Sequence, residues 1–472
     1  MRLPLFFASA LGLILGAALA VSAQGAEEKK VTVNKTNGSA KASKSEKNKP
    51  AAKKMREAKS KSKEAVTLPW PQNVIALAGE GAVLVTDPYK GEKNLQELYS
   101  LNADKLYVPA SILKLLTAAA ALDFLGPKYR FRTDFYLDSN GGLWIKGRGD
   151  PFLVSEELCH LADALVEKGL KQVSDVYLDA SFFLRGLILD GTTFTDKAYD
   201  AFNGALGVNF NTVTYLIDRS GKIVESDSCT PLTGITLDLA EKNRPKKKKR
   251  GSQGYRININ DNPKTAEIQA GQIIAALLKT RGVEISGSLI LGKTVPPEAK
   301  LIYSHLSSKD LEGLLVDILK NSNNFMTNQV FLTLGAEKYD SPGTLEKSQR
   351  AVNDFLDKYG LSRITFVEGS GLSRQNFLTA RQMSQLLKVL TPARHLVKSS
   401  DDGQVLYKTG TMSDIQTLAG WLVNPKRPEQ PLNFVILLNG AYKPGTRDKI
   451  LKALKEHFLN SDDQAAKATG RS

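Results

Sequence analysis

Residues Pro109 to Leu125 read PASILKLLTAAAALDFL, a serine and a lysine set ahead of an almost unbroken run of leucine and alanine. Pro109 at the start and Gly126-Pro127 at the end are the punctuation of a helix. Ile112, Leu115, Leu116, Ala119 and Leu122 recur at helical spacing, and the many alanines suit a helix packed closely at the centre of a fold. Ser111 then falls in the first turn, where unpaired backbone N–H groups and the positive end of the helix dipole favour a developing oxyanion. Lys114, one turn on, lies on the same face within reach of the hydroxyl. A serine hydroxyl needs a partner to take its proton, and a lysine can do so only when burial or a second cation lowers its pKa.

Two more short motifs follow in order, Ser322-Asn323-Asn324 and Lys408-Thr409-Gly410, completing an S-x-x-K, S-x-N, K-T-G set. Singly each is weak, since Ser60 to Lys63 also spells S-x-x-K and Ser100-Leu101-Asn102 spells S-x-N. Context gives the set its weight. Val405-Leu406-Tyr407 makes a strand that ends in the third motif, so its edge can pair with an extended peptide, and Gly410 has no side chain to block the approach. Lys408 and Thr409 suit a carboxylate through charge-assisted hydrogen bonds. Lys408 is also the second cation that would depress Lys114. Ser322 and Asn324 sit in a short connection between two helices, from which polar side chains can project into a cleft.

Outward from the helix, 81–86 and 97–101 read as strands joined by turn residues. Helices are predicted over 307–320, 324–334, 344–359 and 379–390, the last opening on a capping box at Thr379 and Gln382. Strands follow at 404–408, 416–423 and 433–439, then an amphipathic helix over 447–459. Strands at both ends with helices between predict an α+β domain, residues 67–131 and 305–460, built on one antiparallel sheet covered by helices. Residues 132–304 interrupt it as an inserted, mostly β region whose clearest helix is 155–168, and 461–472 read as a flexible tail.

The N-terminus carries an apolar stretch from Leu3 to Val21 and small residues before Ala23, the pattern of a secretory signal cleaved near Ala23; an uncleaved membrane anchor is the competing reading. The formal charge of +15 sits almost wholly in two segments. Residues 27–64 hold 13 Lys/Arg against 5 acids, inside a basic tether (24–66) too poor in large apolar residues to build a core. Residues 241–250, EKNRPKKKKR, hold 7 basic residues and 1 acid in what reads as a loop. The remainder is nearly neutral, which argues against a nucleic-acid-binding fold and leaves anionic envelope polymers as partners for the two segments. Cys159 and Cys229 fit an oxidising compartment with one disulfide at most, their pairing left open. The four histidines show no metal-ligand spacing, and no cofactor is called for.

With these motifs the chain resembles the class C low-molecular-mass penicillin-binding proteins, D-alanyl-D-alanine carboxypeptidases and endopeptidases, from about residue 68 to 460. The likeness extends to Gly147-Arg148-Gly149-Asp150-Pro151, to Ala205-Leu206 with Val208-Asn209-Phe210-Asn211, and to Gly369-Ser370-Gly371-Leu372-Ser373-Arg374. Glu368 stands where that family usually has aspartate. Ser322 follows Ser111 by 211 positions, similar to the family's large insertion and far more than a compact β-lactamase allows. The resemblance implies a β-lactamase/transpeptidase-like domain in which Ser111 attacks the carbonyl between two D-alanines of a peptidoglycan stem peptide. Lys114 would take the serine proton, Ser322 would relay one to the leaving amine, and Asn324 would hold the substrate amide. Lys408 and Thr409 would bind the terminal carboxylate, and the N–H groups of Ser111 and Thr411 would form the oxyanion hole. β-Lactams would acylate Ser111 and stay. A serine β-lactamase and a non-catalytic cell-wall-binding or β-lactam-sensing protein are the competing functions.

Overall fold

The computed structural model describes residues 69–90, 95–246, 251–259 and 262–468. The signal segment, the basic tether and residues 247–250 of the basic loop lie outside the described residues.

A helix α1 (Gln72–Ala78) precedes strands β1 (Ala82–Asp87) and β2 (Gln96–Leu101). A 3-10 turn over Ala110–Leu113 then runs into α2 (Lys114–Phe124). The intervening region holds β3 (Arg132–Leu137), β4 (Leu143–Gly147), α3 (Ser155–Glu167), β5 (Gln172–Val173), β6 (Val176–Asp179), β7 (Thr212–Ile217), β8 (Ile223–Val224), α4 (Gly234–Lys242), β9 (Gln253–Asn258), α5 (Pro263–Thr280), β10 (Glu284–Ile285), β11 (Leu289–Leu291) and β12 (Lys300–Leu306). Four helices follow: α6 (Leu311–Asn321), α7 (Asn324–Lys338), α8 (Leu345–Lys358) and α9 (Ala380–Leu390). The chain closes with β13 (Lys398–Ser399), β14 (Val405–Met412), β15 (Ile415–Asn424), β16 (Arg427–Asn439) and α10 (Thr446–Ala468).

Strands from the two ends of the chain form one six-stranded sheet, ordered β13-β14-β15-β16-β1-β2, antiparallel throughout. Its central strands are apolar on both faces because both faces are covered. Leu84, Ala419, Trp421, Val435 and Leu437 point into a core shared with α2 and α6 to α9. Val83, Val85, Leu418, Ile436 and Leu438 point the other way, against Val74 and Ala78 of α1 and Ile450 and Leu454 of α10. The alanine-rich α2 is buried all round from Lys114 to Ala121, so its first turn is held rigidly beside the sheet.

The inserted region is not mostly β, as expected from its short strand-like pieces. It carries the 18-residue α5 as well as α3 and α4, and its five-stranded sheet, β11-β6-β4-β3-β12, mixes parallel and antiparallel pairs. The signal for α5 is present at Asn262-Pro263, a side-chain N-cap followed by proline at the first helical position. A three-stranded sheet, β8-β7-β9, packs with α4 around Val213, Tyr215 and Leu239. Cys159 of α3 and Cys229, ahead of α4, form a disulfide with Cα atoms 5.4 Å apart. Two further corrections concern boundaries. The K-T-G motif lies within β14 rather than at a strand's end. α10 continues to Ala468 where a flexible tail is expected, there being no glycine or proline to stop it before Gly470.

Candidate active site

The first motif is built at the entry to α2. Ala110 adopts a left-handed conformation (φ 48°), which turns the chain sharply into the 3-10 turn and sets Ser111 at its second position, ahead of the helix's own hydrogen bonds. Lys114 is fully buried. Its Nζ lies 3.1 Å from Ser111 Oγ, 2.7 Å from Asn324 Oδ1 and 2.5 Å from the Ser370 carbonyl. Two of these partners can only accept: the carbonyl, and Asn324 Oδ1, whose amide is oriented by its Nδ2 donating to the Tyr199 carbonyl at 3.0 Å. A neutral amine therefore spends its two N–H groups on them and turns its lone pair to the hydroxyl. In that state the amine would be placed to accept the Ser111 proton.

Burial lowers the Lys114 pKa to about 7, with the Glu368 carboxylate opposing. Lys408, also buried, falls to about 6, first through loss of solvent and then through the charges of Lys114, Lys398 and Arg447. The expectation that Lys408 is the group that depresses Lys114 is thus corrected. An ammonium ion with no exposed surface loses its hydration whatever stands beside it, so burial is the leading cause at both amines, and their mutual repulsion further disfavours charging the two together.

The second and third motifs meet each other. Ser322 caps α6 in a left-handed conformation (φ 56°), Asn323 caps α7 through its side chain, and Asn324 is the first residue of α7. Lys408 Nζ lies 2.8 Å from Ser322 Oγ and donates to the Thr409 carbonyl at 2.7 Å. On β14 the alternation puts Lys408 and Gly410 on the helix side, and Thr409 and Thr411 on the side of α10. β13 pairs only with Leu406 and Tyr407, so among the described residues the strand's remaining length carries no partner strand on that side. Gly410 also meets a packing demand: a Cβ there would lie 2.2 Å from Thr417 Oγ1 and 2.9 Å from both the Pro109 carbonyl and Ser111 N. Its lack of a side chain lets β14 lie against the start of the turn that carries Ser111, bringing the Ser111 N–H beside the strand that carries Thr411.

Several residues that hold this arrangement carry no role in the three motifs. Glu368 is completely buried and accepts from the N–H groups of Ser370, Gly371 and Leu372 at 2.7 to 2.8 Å, from Ser370 Oγ at 2.6 Å, and from the amides of Asn328 and Asn376. One carboxylate thus fixes the Gly369–Arg374 loop and aims the Ser370 carbonyl at Lys114. Gly371 (φ 80°) completes the fit, since a Cβ there would strike the Ala110 carbonyl at 1.9 Å. The inserted region reaches the site as well. Asn203 donates to the Phe325 carbonyl and to Gln329 of α7, and Tyr199 supplies the carbonyl that orients Asn324. The glycines and acid of the 368–374 stretch were a usable signal; a carbonyl such as that of Tyr199 leaves none in the sequence.

An antiparallel sheet between helical layers, with Ser111 beside the buried Lys114 at the entry to the central helix and a lysine strand next to them, defines an α+β serine hydrolase of the penicillin-binding, transpeptidase-like class. Residues 78–401 match the model of the D-Ala-D-Ala carboxypeptidase 3 (S13) family, and the chain belongs to that family. It is a serine-type carboxypeptidase of the class C low-molecular-mass penicillin-binding group. It is 28% identical over 462 residues to a D-alanyl-D-alanine carboxypeptidase of Actinomadura sp. strain R39, covering 82% of this chain and 84% of that one. It is 25% identical over 401 residues to the carboxypeptidase DacB of Haemophilus influenzae, covering 73% and 83%. Among solved structures it resembles penicillin-binding protein 4 of H. influenzae, with a TM-score of 0.66 at 22% identity over 84% of this chain and 99% of that one. A structure of that protein in complex with a β-lactam matches with a TM-score of 0.64 at 21% identity, covering 82% and 99%.

Proposed function

We propose that the chain acts outside the cytoplasm as a D-alanyl-D-alanine carboxypeptidase/endopeptidase, cleaving peptidoglycan stem peptides through an acyl-enzyme on Ser111. The observation that carries this reading is the Lys114 amine, buried, bonded to two obligate acceptors and 3.1 Å from Ser111 Oγ, so that in its neutral form its lone pair faces the hydroxyl. Lys114 takes the Ser111 proton as Oγ bonds to the carbonyl carbon between the two D-alanines. The N–H groups of Ser111 and Thr411 hold the oxyanion. As the C–N bond breaks, the leaving amine takes a proton from Ser322, whose hydroxyl is in turn bonded to Lys408. Lys408 from one face of β14, and Thr409 and the Thr411 hydroxyl from the other, converge on its unpartnered edge and receive the terminal carboxylate there. The proton held by Lys114 replaces the one lost by Ser322, which leaves the Lys114 amine neutral; water then gives a proton to Lys114 as it attacks the ester, and Lys114 returns that proton to Ser111 Oγ as the acyl group departs. The same steps with a β-lactam leave the amine tethered to the acyl group, so the ester persists.

Mass spectrometry of the full chain incubated with penicillin tests the reading. A stable adduct on the peptide bearing Ser111, absent from Ser111→Ala, is expected. Rapid hydrolysis of penicillin without accumulated adduct would make the chain a β-lactamase instead, and no adduct together with no loss of penicillin would leave a wall-binding protein. We further propose that the basic tether and loop hold the enzyme near anionic envelope polymers.

A further inference from the structure

Arg447 belongs to none of the three motifs and lies 36 positions beyond Thr411, in the first turn of α10 on the opposite face of the sheet from α2. Its Nη1 donates at 2.8 Å to the Gly410 carbonyl and at 2.8 Å to Thr411 Oγ1, with the Thr417 carbonyl of the neighbouring strand at 3.4 Å. Its Nε is 3.5 Å from Asp448 Oδ1, and the side chain is largely buried. We infer that Arg447 is a positioning residue for acylation, fixing the Gly410–Thr411 peptide so that the Thr411 N–H and the Thr411 hydroxyl both present their protons to the substrate.

The inference rests on the function proposed above and has two physical parts. First, the Gly410 carbonyl and the Thr411 N–H are the two ends of one peptide unit. A guanidinium hydrogen-bonded to the carbonyl draws electron density along that unit and makes the N–H a stronger donor to the developing oxyanion. Second, a hydroxyl has one proton and two acceptor sites. With Arg447 donating to Thr411 Oγ1, the hydroxyl keeps its own proton for another group, and a carboxylate can only accept. Arg447 thereby converts an ambivalent hydroxyl into a committed donor at the place proposed for the substrate's terminal carboxylate. The Arg447 charge also adds to the positive potential felt at Lys408, whose pKa it helps to lower. Lys114, Lys408 and Lys398 are the other cations around this end of β14, and Asp448 is the anion that holds the guanidinium from its own helix.

The two parts separate in kinetics. Full-length wild type, Arg447→Met, Arg447→Lys and Thr411→Val are compared by noncovalent affinity and acylation rate constant, using a thioester peptide with a free terminal carboxylate and the same thioester with that carboxylate methylated. Arg447→Met is expected to slow acylation by both thioesters about tenfold, a fraction of the ~10²–10³ lost when an oxyanion donor is removed outright. It should also weaken affinity, but only for the free carboxylate. Thr411→Val, which keeps the N–H, should reproduce the affinity loss alone. Arg447→Lys keeps the charge without the planar fork and should fall between wild type and Arg447→Met in acylation. If Arg447→Met does not fold, Arg447→Lys carries the test. Wild-type acylation of Ser111 with unchanged rates in the folded Arg447 variants overturns the inference alone. Wild type that forms no Ser111 adduct with either thioester or with penicillin overturns the proposed function and the inference with it.

Discussion

At Lys114 two opposed effects meet: burial lowers the amine to about 7, while the Glu368 carboxylate raises it. With Lys114 as the proposed base, acylation needs the neutral amine, so its rate constant is expected to climb as pH rises through about 7 and then level off. Replacing Glu368 by glutamine removes the raising influence, so Lys114 loses its proton at lower pH and the rising limb moves to the acid side. The same change takes an anion from at least five donors at 2.6 to 2.8 Å and should lower stability by roughly 3 kcal/mol, as for breaking a buried charge network. Glu368→Asp keeps the charge and should hold the limb near 7. Acylation rates against pH, with thermal melting alongside, check both; a limb that stays in place for Glu368→Gln would exclude the carboxylate as a determinant of Lys114.

Between elements, the contact that matters most is β14 against the turn that begins α2. Gly410→Ala would drive a methyl group into Thr417 Oγ1, the Pro109 carbonyl and Ser111 N. The strand must then move off the nucleophile, and since a 1 Å misplacement can cost about 10²-fold, acylation should fall ten- to a hundredfold or so with little change in far-ultraviolet dichroism. An unaltered acylation rate in a folded Gly410→Ala chain would refute this account of the glycine. A second element contact is covalent. The Cys159–Cys229 bond closes a segment 70 positions long between α3 and the approach to α4. The Cys159→Ala/Cys229→Ala chain should therefore be less stable by about 2–4 kcal/mol in denaturant melts. Ser111 and its partners lie on other elements, so the acylation rate per folded molecule is expected to stay at the wild-type value. Helices with a strong apolar stripe and a cap, such as α9 behind Thr379, are legible in the sequence because period and cap agree. α5 was missed although Asn262-Pro263 announces it, because the short polar breaks around it favour a reading as strands.

Across the whole chain, residue types fixed by chemistry were readable and backbone partners were not. Ser111, Lys114, Ser322 and Lys408 stand out because the proton transfer and carboxylate binding proposed for them demand those side-chain types. Glu368 and Arg447 act on peptide groups, which look the same in every sequence, and only the fold brings them to the site. The formal charge is legible in another way, since residues 27–64 and 241–250 carry nearly all of the +15. If the longer of these segments serves as an electrostatic tether, deleting residues 27–64 should leave acylation of Ser111 unchanged, because the deleted stretch precedes the catalytic elements. It should sharply weaken binding to anionic vesicles or wall polymer in low salt. Wild-type binding should itself fade between about 0.05 and 0.5 M salt as the Debye length shrinks to a few ångströms. Cosedimentation across that salt range checks both statements. Equal sedimentation of the two chains at low salt would assign the charge of 27–64 to nothing beyond solvation, and the proposed attachment would then rest on the loop at 241–250 alone.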